Sequence, residues 1–388
     1  MKRIIELLFL FLLVLDLSAQ NISLHQQRLT HNWQFIRQDL GGVWEALREA
    51  EPDSPAAIPL WENVSLPHCF NAEDAVDPDV NYYQGPGWYR TTLQINNPYP
   101  GGRILLHFEG AGQKTQVFIG QQKAGEHVGG YDEWTLDITD FVAAVQNDLL
   151  LKELYGDRIP LSVRCDNSRD LEMIPSDLSD FNIYGGLYRY VNLIYVPEVS
   201  LRQVHLLAVP DEGLKNGRVK IKGVIRNNDH EQADLLIQLS SPQGEPVAEQ
   251  RIRTDQNEFT AEIFVNKVQL WSPSDPALYK VSVQLKTEHG EQVYTDHVGF
   301  RSFEFQEHGP FILNGERLLL QGTHRHEDHA GVGAAMTEAM IRREMQMIKD
   351  MGANFIRLGH YQQSGIVLNL CDSLGILVWE EIPWCRGG

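Results

Sequence analysis

Residues 353–381 read ANFIRLGHYQQSGIVLNLCDSLGILVWEE, and this stretch decides the fold prediction for the C-terminal part of the chain. The segments 355–358 and 376–379 are short apolar runs of the kind that form buried strands. Between them, apolar residues recur at helical spacing at Ile366, Val367, Leu370, Cys371 and Leu374. Gly375 follows this pattern and is suited to end a helix. The stretch therefore predicts two parallel strands that are joined by a helix.

The segment just upstream repeats this alternation of elements. Residues 318–321 predict another short buried strand, and Thr337 is placed to cap a helix that Gly352 ends. The apolar residues of that helix are Ile341, Met345, Ile348 and Met351. Strand, helix, strand, helix and strand in about 60 residues predict a parallel βαβαβ unit. A complete (β/α)8 TIM barrel needs roughly 250 residues, so we expect residues 305–388 to be its start, truncated after about three strands, and the natural protein to continue.

Two all-β domains are predicted before this unit. Residues 25–197 contain short strand-like runs, such as Arg103–Phe108, 161–164 and 188–195, which Gly, Pro, Asn and Asp separate. That spacing of strands and turns predicts a sandwich of two sheets. Residues 198–304 contain longer alternating runs, with hairpin turns at 241–244 and 288–291. This pattern predicts an immunoglobulin-like β-sandwich.

Residues 1–19 have the pattern of a secretory signal peptide. Lys2 and Arg3 precede an apolar run over residues 4–15, and a small-residue cleavage site follows at 17–19. The run is too short to span a membrane as a helix. We therefore expect a secreted or periplasmic protein of bacterial type, and the alternative is a signal anchor that is not cleaved.

The overall charge narrows the classes of partner. The 388 residues carry a formal net charge of -19. Such an acidic chain argues against nucleic acid and against an anionic membrane surface as binding partners. The four cysteines are widely spaced and show no metal-binding or redox motif.

Polar side chains follow each of the three predicted barrel strands, where a TIM barrel carries its chemistry. The first strand runs into His324, His326 and His329, the second into His360 and Tyr361, and the third into Glu380 and Glu381. Imidazoles and carboxylates hydrogen-bond hydroxyl groups, and aromatic rings pack on sugar C–H faces, so this rim suits a neutral polyol. There are two alternatives: the histidines bind a metal ion, or they have only a structural role at the rim.

The same segments resemble glycoside hydrolase family 2, the family of β-galactosidases, β-glucuronidases and β-mannosidases. The barrel entry at 311–328, the Asn-Phe-Ile-Arg-Leu-Gly-His-Tyr stretch at 354–361 and the run from Cys371 to Glu381 are similar to that family's motifs. Upstream, segments 66–68, 87–90 and 185–189 resemble its sugar-binding jelly-roll domain. Segments 271–279 and 299–301 resemble its immunoglobulin-like domain. The likeness covers nearly the whole chain after the leader, in order.

The resemblance implies a set of substrate-binding residues, namely Asp180, His326, Arg357, His360, Tyr361 and Glu381. His326 and His360 match histidines that line the pocket of the nonreducing sugar, and Asp180 matches an aspartate that reaches it from the sandwich. Arg357 matches an arginine at the base of the site, and Glu381 matches a strand-end acid whose role is more structural. The alternatives are a loop position for Asp180, an internal ion pair for Arg357, and rim packing rather than sugar stacking for Tyr361 and Trp384.

The family's mechanism is retaining double displacement by two glutamates, and the resemblance places both beyond Gly388. Glu380 and Glu381 are adjacent on one strand and point to opposite faces, so they are not that pair. Where β-galactosidases of the family carry magnesium ligands, this chain reads Ile382-Pro-Trp-Cys. We therefore assign no cofactor, because a magnesium or sodium ion is not supported there.

The expected function is hydrolysis of terminal non-reducing β-glycosidic bonds, with a β-galactosidase placed first and a β-glucuronidase or β-mannosidase as alternatives. The substrate would be an oligo- or polysaccharide, and a homo-oligomer is compatible with this expectation. A carbohydrate-binding protein without hydrolysis is the competing function class, and the fragment by itself is expected to be inactive.

Overall fold

The computed structural model describes residues 25–48, 61–176 and 178–385. The predicted signal peptide at residues 1–19 lies outside these ranges. Within them, no helix combines the length and the apolar character that crossing a membrane requires.

The first domain is an antiparallel sandwich of two sheets. Its elements are β1 (Gln26–Arg28), β2 (Trp33–Ile36), α1 (Val43–Leu47), β3 (Glu62–Val64), β4 (Pro86–Gln94), β5 (Arg103–Phe108), β6 (Lys114–Ile119), β7 (Gln122–Val128), β8 (Trp134–Asp137), α2 (Thr139–Asn147), α3 (Leu149–Tyr155), β9 (Arg158–Asp166) and β10 (Val191–Val196). One sheet has the order β1-β10-β5-β8 and the other β3-β2-β4-β9-β6-β7. Alternate residues such as Leu106, Val117 and Val163 are fully buried between the sheets, as the period of two along a strand requires.

The last strand of this sandwich begins later than the sequence pattern predicts. The strand-like run 188–195 predicts a strand throughout, but β10 begins at Val191. The three residues before it direct polar groups to other partners instead: the Tyr188 hydroxyl donates to the carbonyl of Gly130, Arg189 contacts Glu327, and the Tyr190 hydroxyl accepts from the amide of Glu338. Two of these partners belong to the third domain, so this segment joins the two domains.

The second domain is an immunoglobulin-like sandwich. Its strands are β11 (Ser200–Pro210), β12 (Gly217–Arg226), β13 (Ala233–Ser240), β14 (Pro246–Thr254), β15 (Glu258–Val265), β16 (Tyr279–Thr287) and β17 (Gly290–Val298). The sheets have the orders β11-β12-β15 and β14-β13-β16-β17. Both predicted hairpin turns lie between paired strands, β13–β14 and β16–β17.

The third domain is the predicted parallel βαβαβ unit, preceded by a small antiparallel sheet. The small sheet consists of β18 (Phe303–Phe305), β19 (Phe311–Leu313) and β20 (Glu316–Arg317). The parallel unit consists of β21 (Gly322–Arg325), α4 (Glu338–Asp350), β22 (Phe355–Leu358), α5 (Gly365–Leu374) and β23 (Leu377–Glu380). The Thr337 side chain caps α4, and Gly375 ends α5 in the left-handed conformation at φ 71°.

The first parallel strand lies four residues later than predicted, so the strand prediction for residues 318–321 is wrong. Leu318 and Leu320 instead pack beside Trp271 and Leu313, where the immunoglobulin-like domain meets the barrel segment. Their apolar character reflects this contact between domains. The strand pairing starts at Gly322, which lies opposite Phe355.

Gly322 is expected to be essential for this strand pairing. A Cβ atom at Gly322 would lie 1.8 Å from the carbonyl oxygen of Phe355. We expect Gly322→Ala to lower the free energy of unfolding by about 3 kcal/mol or more, because a backbone carbonyl cannot move aside without breaking the pairing. Urea denaturation measures this change. Gly213→Ala is the matched control, since its Cβ would meet only a side-chain oxygen at 3.7 Å, and equal stability of the two variants would contradict the placement of β21.

Candidate functional site

The carboxyl ends of the three parallel strands bring two histidines, an arginine and a glutamate into one hydrogen-bonded group. Arg357 of β22 donates from Nε to Oε1 of Glu381 at 2.7 Å and from Nη1 to Nδ1 of His324 at 3.0 Å. Nδ1 of His360 lies 2.8 Å from Oε2 of Glu381. The register of the sheet explains this convergence, because His324 lies opposite Arg357 and Leu358 lies opposite Glu380.

Both carboxylate oxygens of Glu381 are therefore engaged by neighbouring side chains. Burial alone would raise the pKa of Glu381, but the hydrogen bonds from Arg357 and His360 outweigh burial and lower it. An ionised carboxylate with both oxygens occupied orients its two neighbours and is poorly suited to deliver a proton. Glu380 points elsewhere, since its Oε1 accepts from the amide of Gln363.

His326 follows β21 and is held in the neutral form. Burial, then the neighbouring rings of His324 and His360, lower its pKa to about 4. Its Nδ1 lies 3.3 Å from the hydroxyl of Tyr361, and its ring centre lies 5.3 Å from that of His360. Arg325, between the two histidines, points the other way and binds Glu344 of α4, so the alternation along the strand places His324 and His326 on the same side.

The sandwich domain adds an aromatic ring that the sequence analysis did not identify. Phe181 stacks on His360 at 5.6 Å between ring centres and contacts His326 at 5.4 Å and Tyr361 at 5.5 Å. Asp180, predicted to reach the pocket, immediately precedes Phe181 and is exposed. The one sequence feature that points to Phe181 is its position next to Asp180. Loop residues follow no periodic pattern, so the residues that an aromatic side chain in a loop will contact cannot be predicted from the sequence.

Tyr361 is placed in the packing between domains. Its side chain is 3% exposed, and its ring stacks on Tyr131 of the sandwich at 3.9 Å. The hydroxyl accepts a hydrogen bond from the amide of Glu327 at 3.1 Å. This burial favours the packing interpretation of Tyr361 over direct stacking on a sugar. Trp384, in contrast, is 65% exposed.

A buried ion pair lies behind this aromatic stack. Arg189 of the sandwich donates from Nε and Nη2 to Oε2 of Glu327 in the barrel segment, at 3.0 and 2.6 Å. Both side chains are at most 5% exposed. The backbone amide of Ser364 donates to the other oxygen of Glu327 at 2.9 Å. The pair thus connects the sandwich, the end of β21 and the start of α5.

The residues of this rim do not form a group of metal ligands in the described part of the chain. The group of three that the described residues do offer is Glu231, Glu288 and His289, on the immunoglobulin-like domain. His329, considered as a ligand with His324 and His326, lies in a turn and contacts the carbonyl of Ala330 through Nδ1. The described residues of the rim are instead engaged in hydrogen bonds with one another.

Three family models match consecutive parts of the chain between residues 51 and 385. The model described as "Glycosyl hydrolases family 2, sugar binding domain" matches residues 51–197. "Glycosyl hydrolases family 2" matches residues 199–301. "Glycosyl hydrolases family 2, TIM barrel domain" matches residues 304–385.

Similar proteins include glucuronidases and galactosidases. The crystal structure of Parabacteroides merdae β-glucuronidase is 56% identical with a TM-score of 0.91, covering 94% of this chain and 46% of that one. A β-glucuronidase of Bacteroides fragilis is 30% identical over 98% of this chain and 52% of its own length. A β-galactosidase of Thermoanaerobacter pseudethanolicus is 29% identical over 91% of this chain and 46% of its own length. The chain thus spans about half the length of the curated relatives it matches.

The protonation of His326 can be measured directly. Since burial and the neighbouring rings lower its pKa to about 4, an NMR titration of labelled histidine rings should show His326 neutral at pH 6, with a midpoint near pH 4. An unfolded histidine binds its proton near pH 6.5. The unfolded state therefore holds more protons between pH 6.5 and 4, and this group lowers stability as the pH falls through that window.

Assignment of that resonance requires one variant, because burial also lowers the pKa of His68 to about 4. His326→Gln should remove one low-pH transition and leave that of His68. His289 is the internal contrast, since its hydrogen bond to Glu231 raises its pKa. A midpoint for His326 near 6.5 would contradict the description of the site.

Proposed function

Because the chain belongs to glycosyl hydrolases family 2, we propose that the whole protein hydrolyses terminal non-reducing β-glycosidic bonds, with a β-glucuronide as its first substrate class. The observation that carries the proposal is the 56% identity to a β-glucuronidase over 94% of the chain. The sequence alone favours a β-galactosidase over a β-glucuronidase, and this similarity reverses that order. A β-galactoside is the second candidate, supported by the relative that is 29% identical.

The two central histidines supply opposite hydrogen-bonding groups to a sugar hydroxyl. Tyr361 accepts from the amide of Glu327, so its own proton is available to Nδ1 of His326. Nε2 of His326 then carries a hydrogen and acts as a donor. Nδ1 of His360 lies 2.8 Å from Oε2 of Glu381 and 3.2 Å from Nη2 of Arg357. Because an ionised carboxylate can only accept, we place the hydrogen on Nδ1, which leaves Nε2 of His360 as an acceptor. A hydroxyl between the rings can therefore accept from one imidazole and donate to the other.

His324, Arg357 and Phe181 complete this part of the pocket. Nη1 of Arg357 donates to Nδ1 of His324, so the opposite nitrogen of a neutral His324 is a further donor. The ring of Phe181 adds an apolar surface beside His326 and His360, which suits the C–H groups of a sugar. Because Arg357 is already paired with Glu381, we assign recognition of a uronate carboxylate to residues outside this group.

We assign the bond-breaking step to two carboxylates in the part of the full-length protein that corresponds to the remaining half of its relatives. A retaining mechanism needs an acid and a nucleophile about 5–5.5 Å apart. Glu381 does not fill either role, because both of its oxygens are held by Arg357 and His360. In this proposal residues 1–388 hold the sugar, and later residues cleave the bond. The leader pattern at residues 1–19 supports secretion or a periplasmic location.

An assay of the full-length protein with nitrophenyl glycosides tests this function. We expect nitrophenol release from the β-glucuronide at a higher kcat/KM than from the β-galactoside or the β-mannoside. His360→Ala should lower kcat/KM roughly 10–100-fold, because it removes a hydrogen-bond partner of the sugar. His308→Ala is the matched control, since His308 is an exposed histidine, and it should leave kcat/KM unchanged.

Residues 1–388 alone serve as the second control and should release no nitrophenol. Turnover by this fragment would contradict the assignment of both catalytic carboxylates to later residues. If the full-length protein hydrolyses none of the three glycosides, the proposed function is wrong. A higher kcat/KM for the β-galactoside than for the β-glucuronide would instead support the β-galactosidase that the sequence alone favours.

A further inference from the structure

Three large apolar side chains are exposed close to the histidine site. Leu178 lies on the sandwich loop that also carries Phe181, and Ile382 and Trp384 follow β23. All three are more than half exposed. Large apolar side chains that cluster at a surface mark sites of interaction. We refer to Leu178, Ile382 and Trp384 as the apolar rim.

A hydrogen bond between the two domains joins the segments that carry the apolar rim. The Ser179 hydroxyl donates to the backbone carbonyl of Cys385 at 3.4 Å. Leu178 directly precedes Ser179, and Trp384 directly precedes Cys385, so both apolar side chains stand at this junction. Ile382 belongs to the same turn, because its carbonyl accepts from the amide of Trp384 at 2.7 Å.

The apolar rim is next to the pocket that holds the sugar. Leu178 is three residues from Phe181, whose ring stacks on His360. Trp384 is three residues from Glu381, which lies 2.8 Å from Nδ1 of His360. Three residues of extended chain span at most about 11 Å. Both parts of the apolar rim are therefore close to the rings of the histidine site.

A second hydrogen bond holds the sandwich loop at its other end. The hydroxyl of Tyr184 donates to Oδ1 of Asp328 in the barrel segment at 2.6 Å, and Nδ2 of Asn182 donates to that hydroxyl at 3.2 Å. The loop is thus bonded to the barrel segment on both sides of Phe181. A surface that is fixed in this way before a ligand arrives loses little conformational entropy on binding.

The segments around the apolar rim carry few side chains that could bind hydroxyl groups. Apart from the indole of Trp384, the polar side chains of residues 178–181 and 382–385 are Ser179, Asp180 and Cys385. The Ser179 hydroxyl already donates its hydrogen, and a thiol is a weak donor. Asp180 is the one charged side chain in these two segments, and it is an acid. A saccharide therefore finds few partners here, and an anion is repelled.

A neutral aromatic group matches the apolar rim. The ring of Trp384 offers a stacking surface, and Leu178 and Ile382 offer aliphatic contacts. In the proposed function the pocket holds one terminal sugar, so the leaving group extends from the mouth of the pocket onto the neighbouring surface. We propose that the apolar rim binds this leaving group, and that the substrates are β-glycosides of neutral aromatic alcohols. This inference rests on the proposed function.

Hydrolysis of two glucuronides by the full-length protein tests the inference. The substrates are 2-naphthyl β-glucuronide and β-glucuronyl-(1→4)-glucose, which share the terminal sugar and differ in the leaving group. Trp384→Ala should lower kcat/KM for the naphthyl substrate about tenfold, because it removes the stacking surface, and should leave kcat/KM for the disaccharide within about twofold. If the β-galactoside is the preferred glycoside, 2-naphthyl β-galactoside and lactose take their place.

Two exposed side chains far along the sandwich provide matched controls. Trp44 on α1 is an exposed tryptophan, and Leu149 on α3 is an exposed leucine. Trp44→Ala and Leu149→Ser should leave kcat/KM unchanged for both substrates. Leu178→Ser should act in the same direction as Trp384→Ala, with a smaller loss for the naphthyl substrate.

Binding of 2-naphthol, the free leaving group, separates this inference from the proposed function. Saturation-transfer NMR should show 2-naphthol bound to the full-length protein, and Trp384→Ala should weaken that binding about tenfold. The inference is overturned if 2-naphthol binding does not depend on Trp384, or if Trp384→Ala lowers kcat/KM equally for both substrates. If 2-naphthol binds through Trp384 but no glycoside is hydrolysed, the proposed function is wrong and the apolar rim stands as a binding surface.

Discussion

The buried ion pair between Arg189 and Glu327 is the contact on which the arrangement of the site depends. Each charge would be costly inside the protein without the other. Burial alone would lower the pKa of Arg189, but Glu327 raises it, so the guanidinium stays charged. The carbonyl groups of Tyr131, Gln362 and Glu109 accept its three remaining hydrogens at 2.8, 2.7 and 3.2 Å. The pair therefore has the complete set of partners that a buried charge needs.

This pair explains how two domains form one site. It fixes the end of β21, where His326 precedes Glu327, and the loop that carries Tyr361. The ring of Tyr361 packs on Tyr131 of the sandwich, and its hydroxyl reaches His326. The sandwich loop that carries Phe181 then lies against the rings of His326 and His360. The neutral state of His326, which makes it useful to a hydroxyl ligand, follows from this close packing.

The sequence predicted well those features that depend on local pattern. Helices α4 and α5 follow from apolar spacing, a threonine cap and terminal glycines, and the parallel order of β21, β22 and β23 follows from their alternation with helices. The convergence of His324, His360 and Glu381 followed from the rule that strand ends share one rim, whereas Arg357 was expected there only from the family resemblance. The first barrel strand was predicted four residues too early for a physical reason. Leu318 and Leu320 are apolar because they pack at the contact between the immunoglobulin-like domain and the barrel segment, not because they belong to a strand.

Features that depend on contacts between distant segments could not be predicted in this way. Arg189 and Glu327 each lie within a recognisable motif, but 138 residues separate them, and no spacing rule pairs them. The same holds for Tyr131 with Tyr361 and for Phe181 with the histidines. Substrate preference was equally inaccessible, since residue types such as those of Arg357, His360 and Glu381 do not by themselves distinguish a galactoside from a glucuronide.

The most direct test of this account is the free energy of unfolding of Arg189→Met, measured by chemical denaturation beside Arg218→Met. Arg218 forms an exposed pair with Glu262, and such pairs contribute less than about 1 kcal/mol. Loss of Arg189 leaves the Glu327 carboxylate buried without its partner and should cost about 3–5 kcal/mol. A loss for Arg189→Met no larger than that for Arg218→Met would contradict the central role of this pair.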